Sequence, residues 1–177
     1  MTRHIGGRVH RSRYADFYTI LMTIDTQTLD PKRDPMGAAI LDYLTTGRAK
    51  TLTVMSSMFD DDEMPVDYLF RTTDSMPPLE LKALEMTRGT TLDVGAGAGC
   101  HGLALQQRGV SVKAIDVSPL SCDAMRRRGI ADVECINLFD PRLGGGFDTI
   151  LMLMNGTGIA GKMSGLGGLL RRVASLL

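Results

Sequence analysis

Apolar and polar positions along this chain follow two rhythms, and the change falls near residue 90. Beyond it, short apolar runs rich in β-branched residues recur at Thr91–Val94, Ser111–Ile115, Asp132–Ile136 and Phe147–Met154. Between them the spacing is helical: Cys100, Leu103 and Ala104 share one face, and Ser118-Pro119 reads as an N-cap followed by the first position of a helix. Gly109 and Gly129 stand where left-handed C-terminal caps belong, the second after Arg126-Arg127-Arg128, which suits the negative end of a helix dipole. Strands alternating with helices predict an α/β open parallel sheet. Phe147–Met154 is almost wholly apolar and reads as a strand buried on both faces. A last helix over 162–177 is weakened by Gly165, Gly167 and Gly168.

Before residue 90 the pattern predicts a small, mostly helical segment. Asp34-Pro35 opens a helix that Gly47 closes, with Ala38, Ile40, Leu41 and Leu44 on its apolar side. Thr51–Met55 alternates as a short strand or extended arm would. Asp60-Asp61-Asp62-Glu63 lacks the alternating spacing and the glycine of a calcium loop and reads as a solvated turn, so no metal is expected. Pro65–Arg71 and Met76–Met86 read as two further helices, the second with Ser75 as its N-cap. The expected division is a basic extension over 1–21, a helical cap over 22–88 and the α/β core over 89–177.

Composition changes this picture little. The 177 residues suit one domain with an appendage, and 44% hydrophobic content is enough for a sizeable core. Arg3, Arg8, Arg11 and Arg13 sit in the extension, so the rest of the nominally neutral chain is slightly acidic; no nucleic-acid partner is expected. The longest uncharged run, Thr149–Gly161, is too short and polar to cross a membrane. Three cysteines with no C-x-x-C pair read as reduced thiols, which points to a cytoplasmic setting.

The candidate chemistry lies at the carboxyl ends of the predicted strands. Gly95, Gly97 and Gly99 remove three side chains in five positions, so a ligand can lie directly against backbone N–H groups. Asp116 ends the next strand, about 20 residues on, where an acid accepts hydrogen bonds from ribose hydroxyls. The spacing is G-x-G-x-G with Cys100 in the sixth position, whereas dinucleotide sites use G-x-G-x-x-G around a pyrophosphate. A nicotinamide- or flavin-dependent oxidoreductase is therefore the second choice.

Asp93-Val94-Gly95-Ala96-Gly97-Ala98-Gly99 resembles motif I of the class I S-adenosylmethionine-dependent methyltransferases, and the resemblance covers about Pro65 to Leu177. It implies a Rossmann-like sheet in the order 3-2-1-4 and an enzyme that methylates a small molecule by in-line transfer. More narrowly, Leu69-Phe70-Arg71 and the run from Leu151 to Ile159 are similar to bacterial small-molecule-type members of unassigned substrate. By the resemblance Asp93, Gly95, Ala96, Gly97 and Gly99 meet the methionine part of S-adenosylmethionine. Asp116 takes the ribose, and Val117, Asn137 and Leu138 frame the adenine. Asn155 lies where acceptor and cofactor meet and, with His101, is a candidate catalytic residue. Arg71 is in reach of the cofactor carboxylate only if it is not an ordinary surface arginine. Asn155-Gly156-Thr157-Gly158 departs from the N-P-P-Y motif used on exocyclic amino groups of DNA, which favours a metabolite acceptor. Family members complete a seven-stranded sheet, and this sequence ends in the helix after strand four. The later strands are thus expected to be absent or supplied by a complementing chain, and Phe147–Met154 is expected to be an edge prone to self-association. A remnant that binds cofactor without turnover is the other alternative.

Overall fold

The computed structural model describes residues 27–48, 51–55 and 60–177; the basic extension over 1–21 and the first residues of the cap lie outside them. Within the described residues the cap holds helix α1, Pro35–Thr46, and a hairpin of β1, Leu52–Val54, with β2, Asp62–Met64. A 3-10 turn over Val66–Phe70 follows, then helix α2, Pro78–Met86. The core contributes β3 (Thr91–Val94), α3 (Cys100–Gln107), β4 (Val112–Asp116), α4 (Pro119–Arg127), β5 (Asp132–Cys135), β6 (Thr149–Leu151) and α5 (Leu166–Leu176).

β3 to β6 form one parallel sheet in the order β5-β4-β3-β6, which is the expected 3-2-1-4. Successive strands run outward from β3 to β5, and the chain then returns to the other side of β3. The order therefore reverses between β3 and β6, and the crevice at a reversal lies beyond the carboxyl ends of the strands. Period-two alternation divides the core. Leu92, Val94 and Ile115 pack with Leu169 and Leu176 of α5 on one face. On the other, Val112 packs with Ala104 and Leu105 of α3 and Leu84 of α2, and Ala114 with Cys122 and Met125 of α4.

Several local readings need correction. Residues 60–63 are not simply a turn, because Asp62 and Glu63 pair with Val54 and Thr53 in the hairpin. Pro65–Arg71 is a 3-10 turn rather than an α-helix, and α2 starts at Pro78 with Pro77, not Ser75, at its N-cap. Ala38 is exposed; Ala39 is the buried neighbour on α1. Strand four is shorter than its apolar run. Phe147 N–H is drawn to the Leu176 carbonyl, and Met154 and Asn155 take left-handed backbone angles (φ 53° and 66°) that turn the chain off the sheet after Leu151. It is not buried on both faces either: Ile150, Met152 and Leu153 are half-buried and Met154 is exposed.

The cap is fastened at two places. Asp34 caps α1 by accepting from Gly37 N–H (2.8 Å), and its other oxygen accepts from Ser118 Oγ, which itself caps α4 by accepting from Ser121 N–H (2.8 Å). Gly37 is required there, because a Cβ would collide with the Asp34 carboxylate and the Ser118 hydroxyl. The second fastening is made by Glu80 and Arg71 of the cap, which meet His101 and Met154 of the core.

Candidate functional site

β3 runs into a turn in which Gly95, Gly97 and Gly99 all have positive φ (66°, 57° and 81°). Among the described residues, a Cβ added at Gly95 or Gly97 would meet no protein atom within 4 Å, so those two glycines face open space there. Gly99 has another duty. It precedes α3, and a Cβ there would strike Ile130 and stand 3.0 Å from Met125 Cγ. Its lack of a side chain lets the turn pack on the segment after α4.

Asp116, at the end of β4, holds this turn in shape. One carboxylate oxygen accepts from Gly97 N–H (2.9 Å) and the other from Ser118 N–H (2.9 Å). Burial raises its pKa, and these two backbone N–H groups oppose the rise. Each oxygen keeps a lone pair for a further donor.

Two hollows meet at Val94, Gly95 and Asp116. One, of about 230 Å³, is framed by Val117, Asn137 and Leu138 and closed by Ile159. Arg172 holds this rim by donating to the carbonyls of Leu138, Asp140 and Leu143. The other, of about 400 Å³, lies between the glycine turn, the end of β6 and the cap; Asp93, His101 and Asn155 line it, with Met36, Val54, Met64 and Leu69 opposite. Of the residues singled out in the sequence, Gly99 and Arg71 line neither hollow.

Asp93 is fully enclosed, and its Oδ2 has no hydrogen-bond partner among the described residues. Burial pushes its pKa up to about 6, against the opposing pull of His101 and the Gly102 N–H. A buried carboxylate with one unpartnered oxygen, on a residue that lines a cavity, fits a ligand that brings a hydrogen-bond donor or a positive charge to it.

His101 is not an available base. Its Nε2 lies 2.8 Å from Glu80 Oε2, and the same oxygen receives Arg71 Nη2 at 2.6 Å. Burial would lower the His101 pKa, but the Cys100 side chain, Glu80 and Asp93 outweigh it and push it up to about 9. Histidine in this state is a cation donating to Glu80. Arg71 is buried rather than on the surface: it stacks on Tyr68 (4.3 Å), donates to Glu80 and reaches Met154 Sδ (2.9 Å). It lines neither hollow, so its guanidinium serves the cap and the turn at Met154.

A pH prediction follows for stability. Both His101 and Asp93 bind protons more tightly in the folded chain than their ordinary values of 6.5 and 3.8. The His101 contribution is fully present below about pH 6.5 and is lost as pH rises through about 9. The Asp93 contribution is lost earlier, as pH rises through about 6. Melting temperature should therefore fall between pH 6.5 and 9.5, by at most roughly 6–12 °C, since about 3 kcal/mol is the upper bound for the His101 shift. His101→Gln should flatten that slope, and an unchanged slope would contradict the assignment.

Sequence reasoning missed Glu80, Ser118 as the partner of Asp34, and the cap residues across the larger hollow. Glu80 reads as a first-turn acid on a helix, a surface feature elsewhere. Nothing in its spacing from His101 signals that they meet. Among the described residues no group of three or more His, Cys, Asp or Glu side chains is placed to hold a metal, and no helix is long and apolar enough to cross a membrane.

A sheet reversed beside a glycine turn, with an acid on the next strand, defines a nucleoside-binding α/β domain. The comparisons narrow it. A SAM-dependent methyltransferase from Bacteroides fragilis, crystallised with S-adenosyl-L-homocysteine, is 53% identical over 86% of this chain, with a TM-score of 0.82. The chain spans 63% of that protein's length. A sugar N-methyltransferase from a Streptoalloteichus species shares the fold at 22% identity and a TM-score of 0.51, over 73% of this chain and 56% of its own. No protein-family model and no curated protein matches. The resemblance carried by the glycine turn is thus borne out: the chain is related in sequence and fold to the S-adenosylmethionine-dependent methyltransferases.

Proposed function

We propose that this chain forms the cofactor half of a methyltransferase that binds S-adenosylmethionine and passes its methyl group to a small molecule by in-line displacement. The observation that carries the reading is the pair of hollows joined at Asp116 and Gly95, one on each side of the glycine turn. The 53% identical relative crystallised with S-adenosyl-L-homocysteine supports it. The cofactor supplies a methyl group already activated on a sulfonium, so the chain's own task is alignment and exclusion of water.

In this reading the Gly95–Gly97 backbone and the free oxygen of Asp93 receive the amino-acid end. Asp116 receives the ribose hydroxyls with its remaining lone pairs, and Val117, Asn137 and Leu138 hold the base. Asn155, lining the larger hollow where the chain leaves β6, orients the acceptor. The three free thiols suit a reducing, cytoplasmic setting. The open edge of β6 is the place for pairing with a second copy or another chain, which gel filtration of the full chain would detect as a mass above the monomer.

Calorimetry with S-adenosylhomocysteine tests the assignment. Asp116→Ala should weaken binding by about 1.5–3 kcal/mol, the usual scale for hydrogen bonds to a charged group. The geometry changes what is expected of Asp116→Asn, which on acceptor count alone would be the milder change. Both oxygens accept from backbone N–H groups, so the amide NH2 must oppose either Gly97 or Ser118. Asparagine should therefore be little better than alanine. Binding of NADH in place of S-adenosylhomocysteine would favour an oxidoreductase.

A further inference from the structure

We infer that the methyl acceptor is a lipophilic small molecule bearing no carboxylate, phosphate or sulfonate. This rests on the methyltransferase reading only in calling the molecule an acceptor. The larger hollow extends well past the glycine turn, and its outer wall is Met36, Ile40, Val54, Met64 and Leu69 of the cap with Leu153 from beyond β6. At its mouth Met36, Val54 and Met154 keep 39%, 50% and 43% of their surface exposed, with Leu29 beside them at 43%. Single exposed apolar side chains are ordinary, but several gathered round one concavity mark a ligand groove. Three of the lining residues are methionines, whose unbranched thioethers adapt to irregular apolar shapes.

Charge makes the exclusion. Among the described residues no lysine or arginine lines the hollow, while Asp34, Asp93 and Asp116 do. The one cationic group on the wall among the described residues, His101, already faces Glu80 at 2.8 Å. An anionic acceptor would lose its hydration in a chamber whose fixed charges are acidic, with Asp34 left facing it once cofactor engages Asp93 and Asp116. It would find no free cation among the described residues in return, which is unfavourable. An uncharged molecule, or an amine, meets no such penalty. The hairpin of β1 and β2 thereby acquires a role: Val54 and Met64 form the far side of the acceptor chamber and set which apolar shape fits.

The test uses two fluorescent probes of similar shape on the full chain, N-phenyl-1-naphthylamine and its sulfonated analogue 1-anilinonaphthalene-8-sulfonate. Both are titrated with and without saturating S-adenosylhomocysteine. The uncharged probe should bind saturably at one site, and the sulfonate about tenfold or more weakly, a difference of roughly 1.4 kcal/mol or more. Met36→Glu and Val54→Glu, at exposed positions, should each weaken the uncharged probe by a similar factor with circular dichroism and melting unchanged. Leu79→Glu, exposed elsewhere on α2, should leave the probe untouched. Equal affinity for both probes, no binding of the uncharged probe, or indifference to Met36 and Val54 would each overturn the inference. Uncharged-probe binding that depends on Met36 without any S-adenosylhomocysteine binding would uphold the character of the chamber and remove the methyltransferase reading instead.

Discussion

Gly97→Val should cut S-adenosylhomocysteine affinity by more than about a hundredfold, roughly 3 kcal/mol, while the chain still folds. Two effects act together. The backbone at Gly97 has φ 57°, a region that β-branched residues rarely enter, so valine strains the turn. That strain moves the Gly97 N–H, which anchors the Asp116 carboxylate at 2.9 Å. The added Cβ also projects into space that the described residues leave empty, since none of their heavy atoms lies within 4 Å. Nothing in the fold resists the side chain there; only a ligand would. Gly99→Ala is the instructive contrast. Its Cβ would strike Ile130 and crowd Met125, so it should lower the melting temperature and affect binding only through the turn's position. Calorimetry and thermal melting of the two variants separate the glycine that meets the ligand from the one that meets the core. Equal affinity of Gly97→Val and the parent would remove the turn from the site.

The legible part of this molecule is the part built from local rules. The strands from Thr91, Val112 and Asp132 begin within a residue or two of where their apolar runs predict, because each is short, β-branched and bounded by a glycine cap or an N-cap. Asp34-Pro35, Gly47 and Ser118-Pro119 act as caps in the structure as they do in the sequence. The sheet order followed from the glycine turn and the resemblance it carries. Illegible were the features that depend on distant partners. Phe147–Met154 is apolar throughout, yet pairing stops at Leu151, because a left-handed turn at Met154 and Asn155 aims this stretch at the crevice instead of the ladder. Hydropathy sees the apolar residues and cannot see that turn. The hairpin at Asp62 and Glu63 was hidden for the opposite reason: its acids face solvent and they pair with Val54 and Thr53 several residues back in the chain. His101 illustrates the same limit in the site. Its place after the turn made it a candidate base, and only the tertiary structure shows that Glu80 and Arg71 have engaged it.

That engagement gives the second large effect: Glu80→Ala should destabilise the folded chain by about 3–5 kcal/mol. Glu80 Oε2 receives three donors from two residues, Arg71 Nη2 at 2.6 Å, His101 Nε2 at 2.8 Å and Arg71 Nε at 3.1 Å. Burial alone would raise the Glu80 pKa, but the hydrogen bonds from His101 and Arg71 hold its carboxyl below the usual value. Arg71 is itself 6% exposed and lies 3.4 Å from the His101 ring nitrogen. Removing the carboxylate therefore leaves a buried guanidinium against an imidazolium without the one group that accepts from both. Asp93 near the ring, and the Tyr68 carbonyl and ring near the guanidinium, are left to offset the charges. The histidine should respond by losing its proton near neutral pH, which histidine nitrogen chemical shifts can follow directly. Replacing the whole group tests whether the loss comes from stranded charge or from missing contacts. Glu80→Leu combined with Arg71→Met removes both charges at similar volume, and it should recover most of the stability that Glu80→Leu alone forfeits. The coupling between the two positions, read from urea unfolding of the single and double variants, is expected to exceed about 1 kcal/mol. Additive behaviour would mean that Arg71 finds another partner in the single variant, and that the cap is held to the core chiefly by Asp34 and Ser118.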